Sequence, residues 1–333
     1  MEPINKIDVH HHPFPVQYVN AIKQAGVKKS LGFDFPIWTP EASLKVMDNT
    51  GIKIAMLSIT APGVYSSDPE ASFSEALSKD LSRMTNEIIA ETKEQYPERF
   101  GGFATIPMLN PKDAIEELHY AMDCLKLDGV CLMTNYNGIY LGDTLFDPFF
   151  KELNKRKTVV YIHPSSLRKH PDSSLQIPDA FIEAPFESTR VATNLLFQGT
   201  LEKYPDIKYI LSHGGGAIPF LAWRLSAMAY KGVNKELADV LMKEGKPTKG
   251  LQLLKQMYYD TALVSGKAAL KALQEFVDPE NIVFGSDFYI AKAVAPTVIK
   301  NLTEDGEFSE QALKGMEYAN CLNLFPQFKK YYE

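Results

Sequence analysis

Eight short apolar runs punctuate this chain of 333 residues, and the recurring order is run, loop, then a longer amphipathic stretch. The runs are Ile4–His12, Ile54–Ser58, Phe100–Pro107, Gly129–Met133, Val159–His163, Ile207–His213, Met257–Asp260 and Ile282–Ser286. Helical patterns fall between them at Pro40–Asn49, Asp80–Tyr96, Pro111–Leu125, Phe146–Arg156 and Phe186–Gly199. Thr39 suits an N-cap with Pro40 in the first turn, and Pro111 opens another helix whose acidic residues come early. Strands that alternate with helices pair in parallel through right-handed crossovers. Eight such units predict a (β/α)8 TIM barrel, one domain spanning residues 1–333. A doubly wound sheet is the competing fold. It usually needs fewer strands and a glycine-rich phosphate loop, and neither G-x-G-x-x-G nor a Walker A motif occurs. The polar stretch 165–185 is too long for a simple strand–helix connection and is expected to be an inserted loop or arm, a lid or a dimer contact.

Composition narrows the function. Hydrophobic residues make up 45% and charged residues 23%, an ordinary globular balance. With 35 basic against 41 acidic side chains the net charge is −6, so there is no electrostatic footprint for nucleic acid. No apolar run reaches the roughly 18 residues that span a bilayer. The segment Met1–Asp8 is polar and reads straight into the first strand, unlike a secretory leader, so a cytoplasmic protein is expected. Cys124, Cys131 and Cys321 are too few and too scattered for a disulfide framework or a zinc finger, and are expected to be buried thiols.

Barrel enzymes carry their reactive groups at the C-terminal ends of the strands. Strand one ends in Asp8-Val9-His10-His11-His12, where the period of two points His10 and His12 inward together and His11 away. Strand five ends in His163, strand six in His213 followed by three glycines, and strand eight in Gly285-Ser286-Asp287. Four of only seven histidines therefore face inward at strand ends, while His11, His119 and His170 read as ordinary structural residues. Two imidazoles on one strand face repel when protonated, and a divalent cation holds both neutral. Histidines with a carboxylate suit Zn2+, with Mn2+ or Fe2+ as competitors. Glycines after His213 let a backbone approach a ligand closely, which places that imidazole beside the metal to polarise a water or a substrate oxygen.

Asp8-x-His10-x-His12, His163-Pro164, His213-Gly-Gly-Gly with Pro219-Phe220, and Gly285-Ser286-Asp287 together resemble the amidohydrolase superfamily. More narrowly the chain resembles its amidohydrolase-2 branch, the aminocarboxymuconate-semialdehyde decarboxylase-like family. Within it, Trp38–Glu41, Leu57–Gly63, Thr134–Gly142 and Glu152–Arg156 resemble the 6-methylsalicylate decarboxylase-like group. The resemblance implies one metal ion on His10, His12, His163 and Asp287, with His213 catalytic. It implies a metal-dependent, non-oxidative decarboxylase of a salicylate-like hydroxybenzoate or a related unsaturated acid, in which Asp287 carries the proton. The same ligands would serve the alternative, a metal-dependent hydrolase of a lactone or amide. Segment Gly129–Met133 holds no lysine for a binuclear centre. Phe33, Phe35, Trp38, Tyr136 and Phe288 are expected to form an aromatic, substrate-binding pocket. Arg224, eleven residues beyond His213, is expected to enter the partner's pocket in a homodimer and grip the substrate carboxylate.

Overall fold

Strand β1, Lys6–His11, is buried along its whole length, as a strand covered on both faces must be. The computed structural model describes residues 4–66, 70–165, 175–229, 249–304 and 306–332. Seven further strands pair in parallel in chain order: β2 (Ile52–Leu57), β3 (Phe100–Thr105), β4 (Gly129–Met133), β5 (Val159–His163), β6 (Lys208–Leu211), β7 (Tyr258–Asp260) and β8 (Ile282–Val283). The ring closes where Val9 N–H donates to Phe284 O at 3.0 Å and His11 bridges Phe288. This is the expected eight-stranded barrel, with helices in the crossovers. Among the described residues no helix is long and apolar enough to cross a membrane.

Local chemistry sets the helix ends. Thr39 Oγ1 accepts from Ala42 N–H, Pro40 opens Pro40–Thr50, and Gly51 closes it in the left-handed region at φ 73°. The helix expected from Asp80 begins at Glu75, capped by Ser74. Its first buried position is Ser78, whose hydroxyl donates to Val64 O at 2.7 Å, so a hydrophobic pattern misses that turn. The helix expected from Phe186 likewise begins at Asp179 and carries Pro185 inside it. A proline usually marks a first turn, which is why the pattern placed the start too late. Most of the expected arm at 165–185 is thereby corrected or unplaced: 179–185 is helix, and 166–174 lies outside the described residues. Cys131 and Cys321 are buried, but Cys124 is exposed at the end of a π-helical turn, Tyr120–Cys124.

Candidate metal centre and active site

Between Asp8 and His11, β1 gains one residue on β2, a bulge that alters the aim of the side chains at the top of the strand. His10 and His12 point inward, with ring centroids 4.8 Å apart. His163, the last residue of β5, meets both, at 5.3 Å from His10 and 4.6 Å from His12. The ligand atoms of His10, His12 and His163 lie within 4.8 Å of one another, as do those of His10, His213 and Asp287.

Each imidazole is oriented by its other nitrogen. His10 Nδ1 lies 2.8 Å from Asp260 Oδ2, His12 Nδ1 2.8 Å from Ser58 O, and His163 Nδ1 2.8 Å from Pro164 O. These oxygens can only accept, so each ring carries a proton on Nδ1 and turns its Nε2 inward. Buried Nε2 of His10 and of His12 has no hydrogen-bond partner. Orphaned buried acceptors are costly unless something supplies a positive charge. Asp287 Oδ1 joins them, 3.3 Å from His10 Nε2 and 3.5 Å from His12 Nε2, while Oδ2 faces His213 Nε2 at 3.5 Å. The donor set fits a divalent ion held by three imidazoles and one carboxylate.

Protonation energetics say the same. Burial opposes charge on His10, but Asp260 and Asp287 outweigh it and push the imidazole up to about 10. His12 is lowered, chiefly by burial, with repulsion from His10 adding to it. His163 falls well below the usual range through burial and three neighbouring imidazoles. Burial would raise Asp287, yet the charge on His10 and the close approach of the His10, His12 and His213 imidazoles hold it well below the carboxylate range. The cluster as a whole therefore favours a cation among its anionic oxygens.

His213 and Asp287 lie just beyond β6 and β8, past the shorter strands found here, in tight turns. Both adopt left-handed backbone, at φ 55° and 56°. Such values cost non-glycine residues about 1–2 kcal/mol and persist where surroundings over-determine them. Asp260 supplies part of that determination. Its Oδ1 accepts from His213 N–H at 2.8 Å and Ala262 N–H at 3.0 Å, and its Oδ2 from Tyr161 O–H at 3.2 Å besides His10. One carboxylate thus fixes the His10 side chain and the turn at His213. A Cβ on Gly285 would come within 2.9 Å of His10 Cβ, so only glycine allows the segment after β8 to pass this close. Sequence reasoning passed over Asp260, although it ends an expected strand and the rule that selected His163 selects it too.

A cavity of about 480 Å³ opens beside His213, walled by Phe181, Pro185, Phe220, Leu263 and Val264. Among the described residues that line it, His213 is the only one with a polar side chain. Of the residues expected to line a pocket, several are placed elsewhere. Tyr136 is buried, its hydroxyl accepting from Met133 N–H at 3.1 Å. Phe288 lies beneath His11, ring centroids 4.8 Å apart. Trp38 is buried and donates to Ser43 Oγ at 2.9 Å. Phe33 packs at 6.2 Å on Phe181 and Phe35 at 6.3 Å on Phe14. Arg224 is exposed on the helix Ile218–Ala229.

The amidohydrolase family model matches residues 7–326. The chain belongs to the amidohydrolase family. Decarboxylase macB of Penicillium terrestre is 37% identical to it, over 98% of this chain and 96% of that one. The 6-methylsalicylic acid decarboxylase of Penicillium expansum is 35% identical, over 97% of each chain. Among solved structures, an amidohydrolase II superposes with a TM-score of 0.84 at 25% identity, covering 96% of this chain and 99% of its own. The 5-carboxyvanillate decarboxylase of Novosphingobium aromaticivorans, crystallised with manganese, superposes at 0.78 with 21% identity, covering 97% and 96%.

Proposed function

We propose that this amidohydrolase is a metal-dependent, non-oxidative decarboxylase, a carbon–carbon lyase acting on a small salicylate-like hydroxybenzoate. One observation carries the reading: three imidazoles, each locked with Nε2 inward, converge with Asp287 beside a cavity that, among the described residues, is walled by apolar side chains and His213. A cavity of that size and lining suits an aromatic ring. The two Penicillium relatives bear decarboxylase names, which supports the same chemistry.

When bound, a divalent ion supplies Lewis acidity and a fixed template for neighbouring phenol and carboxylate oxygens. The chain's own residues do the rest. Apolar walls flank the ring and hold it against His213. His213 hydrogen-bonds a substrate oxygen and steadies the charge that develops there. Asp287 Oδ2, ionised and turned away from His10 and His12, is placed to take the phenol proton of the substrate and pass it to the ring carbon that bears the carboxylate. A carbon–hydrogen bond forms, the carbon–carbon bond breaks, its electron pair restores the aromatic ring, and carbon dioxide leaves. No organic cofactor and no O2 enter this balance.

The donor set suits Zn2+, with Mn2+ as the competitor. We also propose a cytoplasmic homodimer in which Arg224 completes the opposite pocket. Phe220 and Trp223, 87% and 60% exposed on the same helix, would be covered in that assembly. Metal analysis of purified protein, followed by a hydroxybenzoate panel with CO2 detection, tests the reading. Release of an acid from lactones or amides, with no CO2 from any hydroxybenzoate, would replace it with the hydrolase.

A further inference from the structure

A second cluster of polar side chains lies on the outer side of β1, away from the proposed metal. Asp8 Oδ2 accepts from His11 Nδ1 at 2.9 Å, and Ser43 Oγ lies 2.8 Å from His11 Nε2. Trp38 Nε1 donates to Ser43 Oγ at 2.9 Å. Asp8, which can only accept, takes the Nδ1 proton, so Nε2 must accept the Ser43 hydroxyl proton. Connectivity alone makes this an Asp–His–Ser triad. Yet Asp8, His11 and Ser43 are all fully buried, and the Ser43 hydroxyl is occupied by imidazole and indole. A nucleophile must meet a substrate, and Ser43 meets none.

Where the chain of bonds ends is informative. Asp8 Oδ1 accepts from the backbone N–H of His10 and of Ser286, both at 3.0 Å. Asp8 Oδ2 also accepts the Ser286 hydroxyl at 2.5 Å. Ser286 Oγ in turn accepts Phe288 N–H at 3.1 Å, and the Phe288 ring lies against His11. The residues on both sides of Asp287 are thus tied to one carboxylate–imidazole pair. Asp287 itself sits at φ 56°, a value that needs such support.

We propose that Trp38, Ser43, His11, Asp8 and Ser286 form a positioning relay that holds Asp287 in its left-handed turn with Oδ1 toward the imidazoles. Ser43 and His11 are positioning residues, and Trp38 serves as the outer anchor of the relay. Removing the Ser43 hydroxyl leaves His11 Nε2 without its donor and Trp38 Nε1 without its acceptor, so the imidazole is no longer held from its outer side. The ring can then shift, its bond to Asp8 weakens, and the clamp on Ser286 loosens. The inference rests on the metal site proposed above.

The test uses Co2+, whose visible absorption reports coordination geometry, on full-length wild type, Ser43→Ala, Ser43→Thr and Trp38→Phe. Ser43→Ala is expected to weaken Co2+ binding about tenfold and change the absorption bands, since outer hydrogen-bond partners are worth about 10–100-fold in affinity or activity. Ser43→Thr, which keeps the hydroxyl, is expected to restore both. An unchanged spectrum and affinity in folded Ser43→Ala would overturn the relay. So would equal losses in the Ala and Thr variants, which would mark a packing effect. Should Ser43→Ala fail to fold, Trp38→Phe removes the indole N–H, with part of the ring, and keeps the Ser43 hydroxyl. A smaller change in the same direction is expected there, and no change would overturn the relay. Wild type that takes up no Co2+ would instead refute the metal site on which the relay depends.

Discussion

Asp260→Asn removes one charge and hardly changes shape, so its outcome follows from hydrogen-bond directions. The native carboxylate accepts from four donors: His213 N–H, Ala262 N–H, His10 Nδ1 and Tyr161 O–H. An amide offers one accepting oxygen and one donating nitrogen. The two backbone donors cannot reverse, so the oxygen must stay with them. The amide nitrogen then faces His10 Nδ1 and the Tyr161 hydroxyl, both of which can become acceptors. His10 does so by moving its proton to Nε2, which closes the lone pair aimed at the metal. Losing a charge-assisted hydrogen bond of this kind is worth about 1.5–3 kcal/mol. At about 1.4 kcal/mol per tenfold, that is roughly a ten- to hundredfold loss of metal affinity. One effect opposes it: without Asp260, His10 holds its proton less tightly in the metal-free site, which eases proton competition. A blocked donor outweighs an eased competition, so the net change is a loss. Chelator competition gives the dissociation constant, and circular dichroism confirms the fold. Affinity within twofold of wild type would show that Asp260 does not set the His10 tautomer.

The remaining expectations concern the metal ligands, pH and assembly. His10→Ala, His12→Ala and His163→Ala should each lose most bound metal and activity; full occupancy in any two of them would sink the ligand assignment. Asp287→Asn should keep some metal through its amide oxygen but abolish CO2 release, because an amide cannot carry the proton; normal turnover would remove Asp287 from the chemistry. His10 must be neutral to bind an ion, yet in the metal-free protein it stays protonated up to about 10. Metal uptake at neutral pH should therefore release about one proton, and affinity should rise as pH rises toward that value. Calorimetry in buffers of different ionisation heat measures the release, and finding none would contradict it. Arg224→Ala should raise KM or lower kcat without releasing metal. Mixed with His163→Ala it should regain activity, since a hybrid dimer has one intact site; no recovery after verified subunit exchange would refute the shared pocket.

His10 and His12 were legible in the sequence because a strand's period of two is local: their common face follows from spacing alone. His163, His213 and Asp287 were legible because a barrel brings all its strand ends to one rim, so position along each strand implies proximity in space. The helix at Pro40 was legible through its cap, since Thr39 and Pro40 act within one turn. Asp260 shows the limit. Its bond to His10 joins residues 250 positions apart, and no local pattern encodes which of the eight strand ends a given carboxylate will turn toward. Aromatic residues went astray for a related reason: a buried Tyr136 and a pocket wall read alike, and only packing decides that Phe181 and Phe220 line the cavity while Tyr136 and Phe288 fill the interior. The left-handed turns at His213 and Asp287 were equally invisible, because no glycine marks those positions and Asp260 and Asp8, from other strands, help to hold them. Sequence alone determined which groups meet at the rim, since periodicity and strand order are properties of the chain. Tertiary structure decided their tautomers, backbone angles and partners, since each depends on a hydrogen bond that closes only when distant strands come together.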